Sequence, residues 1–264
     1  MSRFSDQEGR DVLFTEPHLS HAQIDRYLLC PEQYRLYYVE GLRPRVLPAS
    51  LVFGKCIHQA LAYFFRTKAC PVTWFRSAWN DVQHLPMRYG SRESWEKLAL
   101  TGQALLATFV EQDAPKLANI RKVEHPFSLT ISGLDLPLVG VIDLVAELDG
   151  TPTVVDFKTA GSGYDGHEAT MSDQLSAYRL AEPGVSHGAL CVLVKLKEPR
   201  IEWHVTERGA PQLMEYLAKV GYVAREIAAG HFYKRPGKWC AWCDFLPVCL
   251  GDVRRSEETL VKAA

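Results

Sequence analysis

An α/β domain, with a mixed central sheet flanked by helices, is predicted by three observations. Apolar residues recur at helical spacing through the first part of the chain. They then give way to runs rich in valine, leucine and isoleucine, separated by Gly133 and by the turn pair Asp149-Gly150. Beyond these runs a helical stretch precedes two further strand-like segments and a last helix, an order that suits helices packed on a mixed sheet.

In chain order, Ser20 is the N-cap of a helix whose apolar stripe is Ile24, Tyr27 and Leu28. This helix breaks at Cys30-Pro31, because a residue before proline is pushed out of the helical region. A second helix runs to about Val39 and ends at Gly41. "LVFGKCIHQALAYFFRTK" from Leu51, "PVTWFRSAWNDVQH", and the stretch from Ser91 to about Asp113 complete the helical part, 51–120. "VEHPFSLTI", "LPLVGVIDLVAEL" and "TPTVVDFKT" form a three-stranded meander. "SDQLSAYRLA" is helical, "HGALCVLVKL" and "RIEWHVTE" are strands, and Pro211 to Ala229 is a helix. The sheet core is thus expected over 121–206, the last helix over 209–229, and two end segments over 19–50 and 230–252.

Composition agrees with one domain over 1–264. The 264 residues are 47% hydrophobic and 23% charged, enough for one sizeable core. No apolar run is long enough to span a bilayer, and "MSRFSDQEGR" lacks the pattern of a secretory signal, so a cytoplasmic protein without membrane contact is expected. A net charge of -1 excludes coating of nucleic acid by bulk positive charge. Local basic stretches remain at Arg43 and Arg45, at Arg121 and Lys122, from Lys195 to Arg200, and at Lys234 and Arg235.

The central strands carry the strongest chemistry. Asp143 lies among Val141, Ile142, Leu144 and Val145, where a half-buried carboxylate needs compensation. Asp156 and Lys158, two apart on a strand, project from one face. The Asp149-Gly150 turn sets the two strands side by side, which brings Asp143, Asp156 and Lys158 towards one point. Two carboxylates suit Mg²⁺ or Mn²⁺, and a lysine beside them can orient or deprotonate an attacking water. That is equipment for cleaving a phosphodiester; taken alone, the triplet also reads as a strand end with a surface ion pair. His58, between Ile57 and Leu61, reads on its own as a core histidine, and Gln174 and Tyr178, four apart, share one helix face. His21, His84, His125 and His187 have no ligand-set spacing.

The chain holds seven cysteines. In a reducing compartment a clustered subset points to metal or redox chemistry rather than disulfides. Cys240, Cys243 and Cys249 are spaced C-x2-C-x5-C, one ligand short of four. Cys56, Cys70 and Cys191 lie in or beside apolar stretches, where a small buried hydrophobe is the ordinary role, whereas Cys30 sits at a helix break.

"FGKCIHQAL" with Gly54 and His58, "GVIDLV", "VVDFKTA" and "DQLSAYRLA" together resemble the motif series of the RecB-like PD-(D/E)XK nucleases. The resemblance implies a restriction-endonuclease-like core in which Asp143, Asp156, the carbonyl of Phe157 and His58 bind the cation and Lys158 acts on the water. It implies that Gln174 and Tyr178 contact DNA or support the lysine, and it matches Glu124 to an upstream glutamate that is either a site residue or a strand end. "YLLCPEQYRLYY" resembles the N-terminal segment of family members that hold a [4Fe-4S] cluster, such as the AddB C-terminal nuclease and CRISPR-associated iron-sulfur exonucleases. By that resemblance Cys30, Cys240, Cys243 and Cys249 are the ligands, in a helical iron-sulfur part formed by both chain ends, with zinc as the competing metal. Such a site would clip a loop of about two hundred residues.

The implied function is a Mg²⁺- or Mn²⁺-dependent, single-strand-preferring DNA exonuclease in recombination, repair, phage replication or CRISPR adaptation. Its substrate would be DNA that is single-stranded or has single-stranded ends, and a helicase, recombinase or integrase its partner. Tyr34, Tyr37 and Tyr38, or Trp239 and Trp242, are candidates for base stacking or for packing around the cluster. The alternatives are a non-catalytic DNA-end-binding or assembly factor on the same scaffold and a zinc-stabilised binding module.

Overall fold

In the computed structural model, which describes residues 16–263, six strands form one mixed sheet. Strands β5 (Leu117–Leu129), β6 (Leu138–Leu148) and β7 (Thr151–Ala160) make the expected antiparallel meander. The β6-β7 turn works because Asp149 and Gly150 both take positive φ, 48° and 81°, which matches the twist of the hairpin. A crossover then sets β8 (His187–Val194) parallel to β7, and β9 (Arg200–Glu207) closes the sheet antiparallel to β8. The expected signal at "MSRFSDQEGR" lies outside the described residues.

The helices follow the expected order. They are α1 (His21–Leu29), α2 (Pro31–Tyr34, continued by a wider turn to Val39), α3 (Ala49–Thr67), α4 (Pro71–Asp81) and α5 (Trp95–Thr108). The crossover carries the short α6 (Gly166–Thr170) and α7 (Asp173–Ala181), and α8 (Ala210–Ala228) follows the sheet. Ser20, Ser94 and Ser172 cap α1, α5 and α7 through their hydroxyls. The Ser94 cap starts α5 at Trp95 rather than near Ser91, and β5 begins at Leu117, before the expected core boundary at 121.

Strand alternation splits the core. Leu144, Leu148, Val155, Phe157 and Leu193 pack under α3, α4 and α5, while Ile142, Val145, Val154, Leu190 and Val192 meet Leu175 and Tyr178 of α7. A further layer joins Ile24 and Tyr27 of α1 to Tyr216, Val220 and Val223 of α8.

The chain ends meet as expected, but the part they form is not purely helical. Strand β2 (Leu42–Pro44) pairs antiparallel with β10 (Leu260–Lys262), beyond the expected limit at 252. Leu36, Tyr37, Phe245 and Leu260 share a small core, Tyr27 Oη donates to His231 O at 2.8 Å, and Glu32 N donates to Tyr233 O at 3.0 Å. Two further helices, α9 (Leu246–Leu250) and α10 (Val253–Thr259), lie between. Two expectations change here. Tyr34 and Tyr37 are buried in packing rather than open to bases, with the Arg26 and Arg43 guanidinium groups 3.8 and 3.7 Å from the Tyr37 ring centroid. Cys70 is exposed at the start of α4, unlike the buried Cys56 and Cys191.

Candidate active site

The site lies where β6 and β7 part. Along one edge of β6, residues 144–148 pair with β7, and Leu138 and Val139 pair with the two-residue strand β1 (Leu19–Ser20). Between these ladders the edge is held by side chains. Tyr178 Oη lies 2.8 Å from Val141 O, and Phe157 N donates to Asp143 Oδ2 at 2.9 Å. A gap in a ladder leaves backbone groups to be satisfied by other means, and here those means are site residues.

Four of the expected residues close into a ring. Lys158 Nζ stands 2.8 Å from Asp156 Oδ2 and donates to Gln174 Oε1 at 2.7 Å. Gln174 Nε2 donates to Tyr178 Oη at 2.7 Å, and Tyr178 Oη lies 3.2 Å from Asp156 Oδ1. The hydroxyl has one proton to donate, so Val141 O and Asp156 Oδ1 compete for it. Asp156 is fully buried, and its Oδ2 receives no well-aligned hydrogen bond despite the nearby ammonium. A buried carboxylate oxygen left this way is a ready place for a cation or a water.

Removing the Tyr178 hydroxyl tests whether the ring is held as a unit. Tyr178→Phe keeps the buried ring but leaves Val141 O and Gln174 without their partner, at an expected cost of about 1–3 kcal/mol. Urea unfolding measures it, and an unchanged midpoint would show that the hydroxyl holds nothing.

His58 arrives on α3. Gly54, one turn earlier, lies so close to β7 that a Cβ would stand 3.3 Å from Thr159 Oγ1, and this approach carries His58 to the fork. Its Nδ1 is 3.2 Å from Asp143 Oδ2. Glu124 completes the group. Val123 pairs with Leu144 and His125 with Ile142, so Glu124 stands level with Asp143 across the ladder. Its φ of 47° is a left-handed conformation that a glutamate adopts only under local constraint. Among the described residues, His58, Glu124 and Asp143 are the group of histidine, cysteine or carboxylate side chains whose ligand atoms lie within 4.8 Å of one another.

The expected set therefore divides. His58, Glu124 and Asp143 form a donor pocket, whereas Asp156 stands outside that tight group, tied to Lys158. Glu124 was open between site and strand end, and the structure sets it in the pocket. His21 had no signal in its spacing, yet it lies within the field of Lys158 and Asp156. Burial chiefly pushes its imidazole below the ordinary value, against the pull of Asp25, whose Oδ2 is 3.1 Å from Nε2.

The four expected cluster ligands are drawn together from both chain ends. Cys30 sits between α1 and α2, Cys240 in the turn Lys238–Trp242, Cys243 just after it, and Cys249 in α9. Gln33 Nε2 donates to Cys243 Sγ at 3.3 Å. The Cys249 thiol is pushed up, first by burial and further by Cys243, Glu32 and Cys30, against the pull of Lys234. Burial also drives the Cys56 thiol up, to about 12, and holds Cys191 well above its usual value.

Comparisons with known proteins come to the same place. The family model described as the PD-(D/E)XK nuclease superfamily matches residues 18–250. A crystal structure of a protein provisionally described as an exonuclease, from Eubacterium rectale, is similar over 92% of each chain at 12% identity, with a TM-score of 0.57, a likeness of fold. The crystal structure titled SSO0001 covers 88% of this chain and is itself covered over 96%, at 13% identity and a TM-score of 0.38. Among curated proteins none matches.

Proposed function

This chain belongs to the PD-(D/E)XK nuclease superfamily, and from that premise we propose that it is a Mg²⁺- or Mn²⁺-dependent exonuclease that prefers single-stranded DNA. The observation that carries the reading is the fork, where a donor pocket and an intact Asp156–Lys158 pair face each other across the Phe157 amide.

The residues fit a hard divalent cation. His58, Glu124 and Asp143 offer one nitrogen and carboxylate oxygens at ligand spacing, and Asp156 Oδ2 is buried without a hydrogen bond. His58, Glu124, Asp143, Asp156 and the Phe157 carbonyl are the groups that would hold it. When bound, the cation supplies charge that stabilises the phosphoryl oxygens of the transition state. Lys158, steadied by Gln174 and Asp156, presents an N–H to the attacking water and orients it. The water oxygen forms the new P–O bond, the bond to the leaving oxygen breaks, and that oxygen gains a proton.

For Cys30, Cys240, Cys243 and Cys249 we favour a [4Fe-4S] cluster. The Gln33 amide donating to Cys243 Sγ is the kind of contact that steadies a thiolate ligand. Zn–S bonds of about 2.3 Å would set the four sulfurs of one zinc site only about 4 Å apart. Among the described residues no three of these thiols lie within 4.8 Å of one another, a spread that suits a cubane, where each thiolate has its own iron. The roles that fit are recombination, repair, phage replication or CRISPR adaptation, in the cytoplasm with a helicase, recombinase or integrase. Among the described residues no helix is long and apolar enough to cross a membrane.

Incubation with end-labelled single- and double-stranded DNA tests the activity. Shortening of the single strand from one end with Mg²⁺ or Mn²⁺, stopped by EDTA, is the expected result. No product with either metal would sink the catalytic reading and favour a DNA-end-binding factor on this scaffold.

A further inference from the structure

Positive charge is concentrated on the lobe that carries the last three cysteines. Residues 231–255 contain Lys234, Arg235, Lys238, Arg254 and Arg255 against Asp244 and Asp252, in a chain of net charge -1. Both acids are engaged within the protein: Asp244 pairs with Arg88 at 3.1 Å, and Asp252 caps α10 through Arg255 N at 3.0 Å. The same lobe exposes large apolar side chains, with Trp242 at 73% and Tyr233 at 58%. A tryptophan so open contributes little to folding, and an aromatic patch among cations calls for a ligand.

The backbone that carries these rings is braced. Trp239 Nε1 donates to Arg235 O at 3.0 Å, and the Arg235 guanidinium lies 5.1 Å from the Trp239 ring centroid. At Gly237 a Cβ would stand 2.4 Å from the Trp239 ring, so the turn closes directly on the indole. Lys234 Nζ donates to Cys249 O at 2.8 Å, which ties the Tyr233 segment to α9 and leaves the ammonium two further protons to donate. The faces of Trp242 and Tyr233 are therefore presented in advance of any ligand.

We propose that Trp242 and Tyr233, with Lys234 and Lys238 beside them, form a stacking platform that grips a single nucleic-acid strand on the chain-end lobe, outside the fork. Bases of a single strand offer their faces to aromatic side chains while the phosphates meet the cations. A duplex hides those faces, so the platform selects for unpaired strand. The identity of the ligand rests on the nuclease reading above; the shape and charge of the lobe do not.

Fluorescence anisotropy of labelled oligodeoxythymidine on the full-length protein, in EDTA so that nothing is cut, tests the platform. Trp242→Ala is expected to weaken binding roughly 5- to 150-fold, Tyr233→Ala to weaken it within the same range, and Trp242→Phe to restore it. Lys238→Ala is expected to reduce the salt dependence of binding. Metal content and circular dichroism should be unchanged in Trp242→Ala, since the side chain lies outside the core. Unaltered binding in both alanine variants overturns the proposal, as does the absence of binding by the wild type. So does loss of self-association on sedimentation without loss of DNA binding, which would make the patch a contact with a second copy. Failure of the nuclease reading looks different: the oligonucleotide binds, the variants weaken it, and no metal produces cleavage.

Discussion

Asp156→Asn and Lys158→Met are expected to reduce DNA cleavage by about 10²- to 10⁴-fold each while the protein stays folded. Both substitutions keep the shape of the side chain. Asparagine at 156 can still accept from Tyr178 Oη, and methionine at 158 keeps the apolar stem, whose tip is 32% exposed. What is lost is charge. The amide no longer offers a carboxylate oxygen to a cation, and the thioether no longer presents an N–H to water. Circular dichroism and thermal unfolding guard against loss of fold, and cleavage at wild-type rate in both variants would refute the assignment. Glu124→Gln sharpens the test, because the pocket holds Glu124 close to His58 and Asp143. Its cleavage should be recoverable with more metal, the half-saturating Mn²⁺ concentration rising by about tenfold or more. An unchanged metal dependence would return Glu124 to the role of a strained strand residue.

Cys30→Ser should abolish the cluster, whereas Cys56→Ser, Cys70→Ser and Cys191→Ser should retain it. After anaerobic purification the wild type is expected to be brown, with iron, and the Cys30 variant colourless; a colourless wild type containing zinc would refute the cluster. The other three cysteines are placed for other roles. Cys56 and Cys191 are shut in the core, and Cys70 stands exposed at the start of α4, where the Thr73 amide chiefly pulls its thiol down. The Cys30 variant should nonetheless keep its chain ends together. The β2-β10 ladder, the Leu36, Tyr37, Phe245 and Leu260 core and the Tyr27–His231 bond join the ends without any metal. The closure of a long loop therefore does not fall on the thiolates alone, as the cysteine spacing by itself suggests. A lowered melting temperature with native circular dichroism is the expected outcome, and complete unfolding would show that the metal carries the lobe.

What could be read from the chain was local. Helix caps at Ser20, Ser94 and Ser172, the break at Cys30-Pro31 and the Asp149-Gly150 turn depend on neighbours within a few residues, so they are legible without tertiary contacts. The same holds for Asp156 and Lys158, whose shared face follows from the two-residue period of a strand, and for Gln174 and Tyr178, which one helical turn aligns. The unread features join distant segments. Strand β1 is two residues long and gains its place only from β6, which it meets across more than a hundred residues of chain. Glu124 enters the donor pocket because β5 lies level with Asp143 and its own backbone turns left-handed, neither of which leaves a trace in "VEHPF". The aromatic residues were divided by the same kind of fact. Tyr37 and Trp242 are alike as letters near a cysteine, but Tyr37 is enclosed between Arg26 and Arg43 and Trp242 faces solvent. Residue type and spacing specify which groups are present, whereas distance and burial, which decide what those groups can bind, arise only when the strands fork and the chain ends close.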